Sequence, residues 1–491
     1  MKENTLILLT IFVFTFVPLI LAEVARKHSL PTLEDFFIQG RGMPVTMVFF
    51  TIYATWVSSF AFLGSASHFF THGPVYATCF AWNALFAALI YFLSERVWHY
   101  GREHGYLSPV DFFGDIYGSK ALSLIVAIVM IVYTLPYLQI QLSVGAYLIE
   151  LATGGVIPWR VSGLLFYLVM IIYLWAGGLR AVAMTDVYYG ILIFVSMIFI
   201  GFYLAHMAGG VKSIFRFISE TSPNSLVVAG DGKDGVILWI SMFLITPLGA
   251  VMGPSVWLRS YAAKERRTFR ILPLLLCLAT IEYIGPILSG AAGKILMPQI
   301  ENTDMLVPNV LLEYASPVLC GILFCGIAAA TLSTANSQIH SSAAIYTISI
   351  HRRYIHPKAS EAHLVSVAKW AVLVISAGAY LTMMRSTSYI IDLGSLGLGG
   401  MAQLIVPTVG ALMWPRSHPI AAICGLLCGI ALTSAALFIP GANASILAMV
   451  ALFINAGLFI LLSRSLTPDR NVSARIASYR ASYEKALRHV P

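Results

Sequence analysis

The sequence predicts an all-α polytopic membrane protein, an inverted repeat of five plus five helices with about 13 transmembrane helices. Of its 491 residues, 58% are hydrophobic and 11% are charged, whereas charged residues make up about 25% of an average soluble domain. Apolar runs of roughly 20 residues, the length that crosses a bilayer, recur along the whole chain. Two of these runs are interrupted at corresponding positions, which is typical of inverted-repeat membrane folds. These observations exclude a soluble globule.

Hydropathy and polar breaks divide the chain into segments. The first apolar run is long for a signal peptide and is followed by Arg26 and Lys27, so we favour a retained span. The predicted segments are 1–44 (extra helix and loop), 45–206 (first repeat), 207–234 (extracellular loop), 235–414 (second repeat), 415–463 (two peripheral helices) and 464–491 (basic tail). The predicted spans are 5–22, 45–69, 74–94, 121–149, 161–177, 184–206, 235–257, 271–293, 317–349, 364–384, 389–413, 418–438 and 444–463.

Lysine and arginine are unevenly shared between the two sets of loops. One set of loops holds about three times as many of these residues as the other, and it includes Arg96, Arg259, Arg266, Arg352 and the tail. This excess predicts that the first set of loops is cytoplasmic. The net charge of +8 therefore reflects topology and implies no nucleic-acid partner. We expect a multi-pass protein in the lipid bilayer of the plasma membrane, such as a bacterial inner membrane. Its N-terminus would lie outside and its C-terminus, an amphipathic or loosely ordered end, in the cytoplasm.

The second and seventh predicted spans are the interrupted ones, and each opens a group of five. The second carries the pair Ser58–Ser59 and Gly64 midway, and the seventh carries Pro247 and Pro254 with nearby glycines. Unwound backbone near the midplane offers carbonyl oxygens to cations and amide ends to anions. Two ordinary kinks in a helix bundle are the alternative explanation. The matching positions favour a secondary transporter.

The ninth span is apolar yet crowded with hydroxyl and amide side chains between Cys325 and Tyr346. In a helix, the carbonyl of Ala330 and the hydroxyls of Ser333 and Thr334 fall on one face through their i, i+3, i+4 spacing. Three neutral oxygens suit a small hard cation. The alternative is that these hydroxyls bond their own helix or allow close helix packing.

Several stretches resemble the sodium:solute symporter family. GGLRAVAMTDVYYGILIF at 177–194 is similar to the family's GG-x-[KR]-A-V-x-x-T-D-x-x-Q signature, with Tyr189 in place of Gln. Three further stretches resemble motifs of the family. They are FFIQGRGMP at the entry to the second span, GPSVWLRSYAAKE at the end of the seventh and AAATLSTANSQ in the middle of the ninth. The resemblance covers essentially the whole chain and implies a LeuT-like fold and a sodium-coupled carrier.

The resemblance also implies a sodium site. Its ligands would be the carbonyls of Ala54, Val57 and Ala330 and the hydroxyls of Ser333 and Thr334. Because this face carries no titratable carboxylate, we expect sodium rather than proton coupling, with no other cofactor.

The family's two-sodium members use a further site, which corresponds here to Asp186, Ser333, Asn336 and Ser337. Asn336 departs from the hydroxyl expected at its position. Asp186 is therefore left with three alternatives: a second sodium ion, the exit path of the first, or a pair with Arg180 at the membrane edge.

Departures from the proline and sugar carriers narrow the solute. Trp56 and Thr246 replace residues typical of the proline permease, and Ala61, Cys79 and Phe80 replace those of the sugar carriers. Within the fourth span, Tyr137 and Gln141 share a face after the Pro136 kink. A small organic monocarboxylate, bound by neutral donors and a helix end without an arginine, is the expected small-molecule substrate. The candidate substrate residues are Trp56, Trp82, Asn83, Tyr137, Gln141, Thr246, Ser395 and Gln403. Each is as compatible with a helix–helix hydrogen bond as with a contact to the substrate.

Three alternatives are kept. A sodium-coupled amino-acid symporter would need an acceptor for the ammonium group, which Asp392 or a free carbonyl could supply. A sensor that kept the carrier fold would normally carry an output domain, and a membrane enzyme would need a paired catalytic set facing a cavity. His340 is expected to be a packed, hydrogen-bonded histidine rather than a proton carrier. We therefore expect a transporter and not an enzyme.

Overall fold

The computed structural model describes residues 2–73, 78–227, 235–385 and 389–488, and these residues are helical apart from turns and one isolated bridge between Met43 and Ala263. Helices satisfy every backbone group internally, as a chain in lipid requires. The parts of the predicted segments at residues 1, 74–77, 228–234, 386–388 and 489–491 lie outside the described residues. The prediction of an all-α polytopic architecture is confirmed.

The transmembrane helices occupy the places of the predicted spans. Eleven helices of the described part are long and apolar enough to cross a membrane, a bent pair forms one more, and Trp159–Ile172 is a shorter apolar helix at the remaining position. In chain order they are α1 (Lys2–Lys27), α2 (Val45–Trp56 and Phe60–His72), α3 (Thr78–His104), α4 (Lys120–Ala152), α5 (Trp159–Ile172), α6 (Gly177–Met207), α7 (Gly235–Met252 and Pro254–Ala262), α8 (Thr268–Leu296), α9 (Pro317–Ile355), α10 (Glu361–Arg385), α11 (Ile390–Met413), α12 (Pro419–Leu437) and α13 (Ala444–Ser465). Shorter helices at Leu33–Ile38, Pro109–Tyr117, Val211–Thr221 and Leu306–Tyr314 lie in the connecting segments.

Helices α2 and α7 are each divided into two halves, called α2a, α2b, α7a and α7b below. The halves of α2 are bent by 55° at the break. In α7 the chain leaves helical geometry at Gly253, whose ψ is 132°, and resumes with Pro254 as the first residue of α7b, a position where the missing amide proton of proline costs nothing. Gly249 of α7a is required by packing, because a Cβ there would lie 2.1 Å from the carbonyl oxygen of Leu398 on α11.

Helices α5 and α6 join without a loop. The chain turns at Gly178, where φ is +55°, a conformation that favours glycine. A Cβ at this position would also lie 2.6 Å from the carbonyl oxygen of Phe36. The GGLR stretch found in the sequence therefore marks a junction where α6 begins against the segment that leads into α2.

The tail forms a docked helix, α14 (Arg470–Arg488). Tyr479 bonds the carboxylate of Asp115 and the phenol of Tyr106, and the guanidinium of Arg266 donates to the carbonyl of Ala486 at 3.0 Å. Burial, with Asp115 nearby, raises the pKa of the Tyr106 and Tyr479 phenols, so both remain neutral hydrogen-bonding groups. Of the two alternatives for the tail, an amphipathic or a loosely ordered end, the second is wrong for residues 470–488, because Tyr479 anchors a helix to the segment between α3 and α4.

Candidate functional site

The break in α2 leaves two backbone carbonyls without their usual helical partners. The amide of Ser58, which would bond Ala54 in a continuous helix, donates instead to the carbonyl of Trp56 at 3.0 Å. The amide of Ser59, the helical partner of Thr55, lies 3.5 Å from Oε1 of Gln141. The carbonyl oxygens of Ala54 and Thr55 are therefore available to side chains of another helix.

Hydroxyl groups of α9 meet these two carbonyls. Ser333 Oγ donates to the Ala54 oxygen at 2.7 Å and lies 3.3 Å from the carbonyl oxygen of Ala330. Thr334 Oγ1 lies 3.1 Å from the Thr55 oxygen and 3.4 Å from the Ala54 oxygen. The side chains of Ser333 and Thr334 are fully buried. We call this group of Ala54, Thr55, Ala330, Ser333 and Thr334 the oxygen cluster.

The structure thus brings together four of the five residues expected around sodium. The fifth, Val57, is buried at the end of α2a, where its amide donates to the carbonyl of Tyr53 at 2.8 Å. The α9 hydroxyls bond the carbonyl of Thr55 rather than that of Val57. Each oxygen of the cluster is neutral, and rotation of the two hydroxyl protons would turn lone pairs toward a shared cation. Such a set suits a small monovalent ion that needs little ligand charge.

A charged network lies one helical turn from the oxygen cluster along α2a. Asp186 of α6 accepts a hydrogen bond of 2.5 Å from the hydroxyl of Thr51, and its carboxylate lies 3.6 Å from Nη2 of Arg259 on α7b. The guanidinium of Arg259 also donates to Thr51 Oγ1 at 2.8 Å, to the carbonyl of Ser255 at 3.0 Å and to the hydroxyl of Ser337. Asp186 and Arg259 are both fully buried. We call Thr51, Asp186, Arg259 and Ser337 the charged network.

Arg259 is the functional residue that the sequence interpretation missed. It was counted among the loop cations, and this placement is wrong because α7b carries it back into the protein after the Gly253 break. Arg180, offered as a partner for Asp186, instead pairs with Asp35 at 2.6 Å. The available sequence signal is the arginine that follows the Pro254 break within GPSVWLRSY, because a helix resumed after a break can carry its charge inside the membrane.

Thr55 connects the two groups. Its carbonyl belongs to the oxygen cluster, while its hydroxyl lies 2.7 Å from Ser337 Oγ and 2.6 Å from the carbonyl of Thr51. Asn336, the other residue expected around Asp186, is buried, but its Oδ1 has no hydrogen-bond partner among the described residues. Asn336 therefore lies outside both groups.

A narrow cavity of about 40 Å³ lies beside α2a. It has room for about one ordered water molecule, so a solute can enter only if the surrounding helices separate. No lysine or arginine occurs among its described lining residues, and its wall reaches the N-terminal end of α7b. The lining residues include Thr55, Trp56, Phe86, Tyr133, Tyr137, Gly249, Gly253, Ser255, Gln338, Gly397 and Met401.

Some of the predicted substrate residues line this cavity and others do not. Trp56 and Tyr137 line it. The indole nitrogen of Trp56 donates to Oδ1 of Asn83 at 2.5 Å, which places Asn83 directly behind the indole. Trp82 and Thr246 are buried but belong to no described wall of the cavity.

The polar side chains of α4 face the break in α2. Tyr137 Oη lies 2.8 Å from the hydroxyl of Ser58, and Oε1 of Gln141 accepts a hydrogen bond of 2.7 Å from the hydroxyl of Ser59. Gln141 also donates from Nε2 to the carbonyl of Tyr137 at 3.1 Å. These two pairs satisfy polar groups that the unwound turn would otherwise bury alone.

The last two candidates, Ser395 and Gln403, make helix–helix hydrogen bonds. Ser395 bonds the hydroxyl of Ser445 on α13 at 2.9 Å. Gln403 donates to the carbonyl of Ala448 at 3.1 Å and receives a hydrogen bond from Asn455. Both therefore fasten α11 to the peripheral helix α13.

Two further residues of the sequence interpretation lie away from the cavity. His340 is buried, and its Nε2 lies 3.0 Å from the carbonyl oxygen of Phe36. Asp392 is exposed near the start of α11 and lines a separate surface pocket with Asn443. Neither of these side chains belongs to the described lining of the cavity beside α2a.

Comparison with known proteins gives consistent matches over most of the chain. A model described as the sodium:solute symporter family matches residues 36–429. An uncharacterized symporter of Bacillus subtilis is 25% identical, covering 88% of this chain and 87% of its own. The sodium/pantothenate symporter of Haemophilus influenzae is 23% identical, covering 85% and 87%. A monocarboxylate transport permease protein of Rhizobium johnstonii is 23% identical, covering 79% and 80%.

Solved structures share the fold. A sodium-coupled sialic acid symporter, solved in a substrate-bound outward-open state, superposes with a TM-score of 0.82 at 18% identity, covering 95% of this chain and 99% of its own. MhsT in complex with L-phenylalanine gives a TM-score of 0.54 at 14% identity, covering 84% and 98%. These likenesses confirm the predicted LeuT-like architecture.

Proposed function

The chain belongs to the sodium:solute symporter family and is a transporter rather than an enzyme, and from this premise we propose sodium-coupled uptake of a short monocarboxylate by alternating access. The observation that carries the sodium part is the oxygen cluster, where hydroxyls of α9 meet carbonyls freed by the break in α2. A cation bound there joins one broken helix to one continuous helix. Sodium binding is thus coupled to the arrangement of α2 against α9.

Sodium would replace hydrogen bonds rather than charges. Ser333 and Thr334 now donate to the carbonyls of Ala54 and Thr55, and a bound ion would be coordinated by these same oxygens. The exchange requires that the two hydroxyl protons rotate away and that the oxygens separate enough to admit the ion, so binding and release need no proton transfer. Val57 remains a further candidate ligand from the end of α2a.

We infer one sodium ion per transport cycle. Asp186, the acid that would anchor a second ion, already faces the buried guanidinium of Arg259. A second cation would have to compete with that charge at close range. Ser337, a candidate ligand of the second ion, is likewise bonded by Arg259.

The lining of the cavity beside α2a suits a short carboxylate, which would be admitted once the surrounding helices separate. The described lining carries no charged side chain, and the cavity reaches the start of α7b, where the positive end of the helix dipole favours an anion. The phenol of Tyr137 is a neutral donor in the same wall. Trp56 and Phe86, stacked with ring centroids 4.7 Å apart, provide an apolar surface for a short hydrocarbon tail.

The sodium test compares two hydroxyls on one helix. Ser333→Ala should raise the sodium concentration for half-maximal uptake in proteoliposomes about tenfold, the effect of losing roughly 1.4 kcal/mol of binding energy. The matched control is Thr331→Ala, because the Thr331 hydroxyl bonds only its own helix, at the carbonyl of Ala328. Equal sodium dependence in both variants would place the ion elsewhere. Sodium binding without uptake of any solute would favour the alternative function, a membrane sensor with the carrier fold.

The solute test is competition for sodium-driven uptake. Unlabelled lactate, pyruvate and propionate should compete, whereas alanine, proline and histidine should not. Tyr137→Phe should weaken competition. The control Tyr117→Phe should not, because Tyr117 is absent from the described lining of the cavity and its phenol donates to the carbonyl of Pro407 at 2.7 Å. Competition by the amino acids alone would replace the monocarboxylate with the alternative substrate class.

We propose that α14 lies on the cytoplasmic side of a plasma membrane, with the N-terminus outside. The basic residues Arg96, Arg266 and Arg475 support this orientation, because α14 and its contact loops gather them on one face. Labelling of a cysteine introduced in α14 should occur only after the membrane is permeabilised.

A further inference from the structure

Three histidines meet at the turn that connects α9 to α10. His351 lies in the last turns of α9, His356 follows the helix, and His363 lies in the first turns of α10. One ring nitrogen from each lies within 4.8 Å of those of the other two. His356 and His363 are exposed and His351 is half-buried, so the cluster is open to solutes. The transport site uses none of them.

The backbone of the turn holds the three side chains in place. The amide of His356 donates to the carbonyl of His351 at 2.8 Å, and the amide of Ala359 donates to the carbonyl of His356 at 3.1 Å. The amide of His363 bonds the hydroxyl of Ser360 at 3.3 Å. Pro357 further restricts the chain after His356. The backbone that carries the three imidazoles is therefore fixed, and the rings need only side-chain rotation to face a shared ligand.

The spacing of the His351 and His363 nitrogens matches that of two ligands of one metal ion, and a nitrogen of His356 lies within 4.8 Å of both. Nε2 of His351 lies 3.3 Å from Nε2 of His363. Two imidazoles bound to one tetrahedral zinc ion at about 2.0 Å each have their nitrogens about 3.3 Å apart. Imidazole nitrogen is also a ligand that suits zinc, copper and nickel ions, whereas magnesium and calcium ions are bound mainly by oxygen ligands.

The guanidinium of the neighbouring Arg353 is directed toward the helix Pro109–Tyr117, where it lies against Gly114. The positive charges of Arg352 and Arg353 both act favourably on the carboxylate of half-buried Asp111. Their charges are thus partly offset on the side of the turn that faces the protein. The histidine rings contact one another, with the His356 and His363 centroids 5.3 Å apart.

We propose that His351, His356 and His363 form a binding site for a divalent transition-metal ion of the zinc class. Three imidazoles would supply the protein ligands, and the fourth position would be open to water. The ion would tie the end of α9, the helix that carries Ser333 and Thr334, to the start of α10. This site is separate from sodium binding and does not depend on the proposed solute.

The test uses full-length protein freed of any polyhistidine tag. Calorimetric titration with zinc chloride should give one ion per chain, and cobalt(II) should give the visible absorption of a tetrahedral site. The double variant His356→Ala/His363→Ala should bind zinc roughly tenfold more weakly or worse and lose the zinc-dependent rise in thermal midpoint. The control is His28→Ala/His206→Ala, which removes two exposed histidines at other helix ends.

Two results would overturn the proposal. One is zinc binding of equal affinity in the cluster variant and in the control variant. The other is no zinc binding by the unaltered protein, in which case the contact between His351 and His363 is a hydrogen bond between two rings. Neither result bears on sodium-driven uptake, so failure here is distinguishable from failure of the proposed function.

Discussion

The oxygen cluster and the charged network are neighbours on α2a, yet they satisfy buried polar groups in opposite ways. The cluster around Ser333 uses neutral hydroxyls and carbonyls, each of which can exchange its hydrogen bond for a cation. The network around Asp186 uses two full charges that compensate each other. Burying a single charge is costly, whereas burying a bonded hydroxyl is not. A neutral group is therefore the one suited to the proposed binding and release of sodium, whereas separating the charged pair would leave a buried charge uncompensated.

The largest expected effect comes from removing half of the charged pair. Arg259→Met should lower the free energy of unfolding by about 3–5 kcal/mol, because Asp186 would be left buried without its counter-charge. Thermal unfolding in detergent measures the change. The double variant Asp186→Asn/Arg259→Met should recover most of the loss, and Arg464→Met, at an exposed position, is the control. A single variant as stable as the original protein would show that the pair is not a fixed unit.

Sodium should stabilise the protein through the neutral group alone. At a sodium concentration of about 100 times the dissociation constant, the original protein should gain about 2.7 kcal/mol. Ser333→Ala/Thr334→Ala should lose most of this gain, whereas Asp186→Asn/Arg259→Met should keep it. The thermal midpoint in sodium against that in choline is the measurement. A reversed pattern would move the ion to Asp186.

Thr55 tests whether the two groups act independently. Thr55→Val removes the hydroxyl that contacts Ser337 and keeps the carbonyl that contacts Thr334. Stability should fall by about 1 kcal/mol, the usual loss for one buried hydrogen bond, while the sodium dependence of uptake changes little. A loss of sodium affinity as large as that of Ser333→Ala would mean that cluster and network form one unit.

The smallest effect is expected at Asn336. Asn336→Ser introduces the hydroxyl that the family resemblance predicts at this position, yet Arg259 still faces Asp186. The Hill coefficient of sodium-driven uptake should therefore stay at about 1. A coefficient approaching 2 in this variant would reveal a second ion site that Asn336 alone prevents.

Most residues of the oxygen cluster could be identified from the sequence. The broken span was visible in Ser58–Ser59 and Gly64, and the oxygen face of α9 followed from the i, i+3, i+4 spacing of Ala330, Ser333 and Thr334. Hydropathy likewise located the transmembrane helices, because lipid imposes length and polarity directly. The hydrogen bond from Thr334 to the carbonyl of Thr55 could not be foreseen, since it depends on the path of the unwound backbone.

The charged group was less predictable for a physical reason. A cation next to the end of an apolar run is normally a loop residue, so Arg259 was assigned to solvent. Only the fold shows that α7b re-enters the protein and meets Asp186 on α6. The docking of the tail helix could not be foreseen either, because Tyr479 meets its partners Tyr106 and Asp115 only in the assembled fold.

The pairing of α4 with the unwound turn of α2 has a consequence for evolution. The Ser58 hydroxyl is hydrogen-bonded to Tyr137, and the Ser59 hydroxyl is hydrogen-bonded to Gln141. Loss of one polar side chain therefore leaves the other buried without this partner. Across homologues, positions 58 and 137 should therefore change together, and so should positions 59 and 141. Divergence within each pair would be tolerated only as a joint exchange of both polar side chains, and transporters of different solutes should be distinguishable by the combination they have fixed.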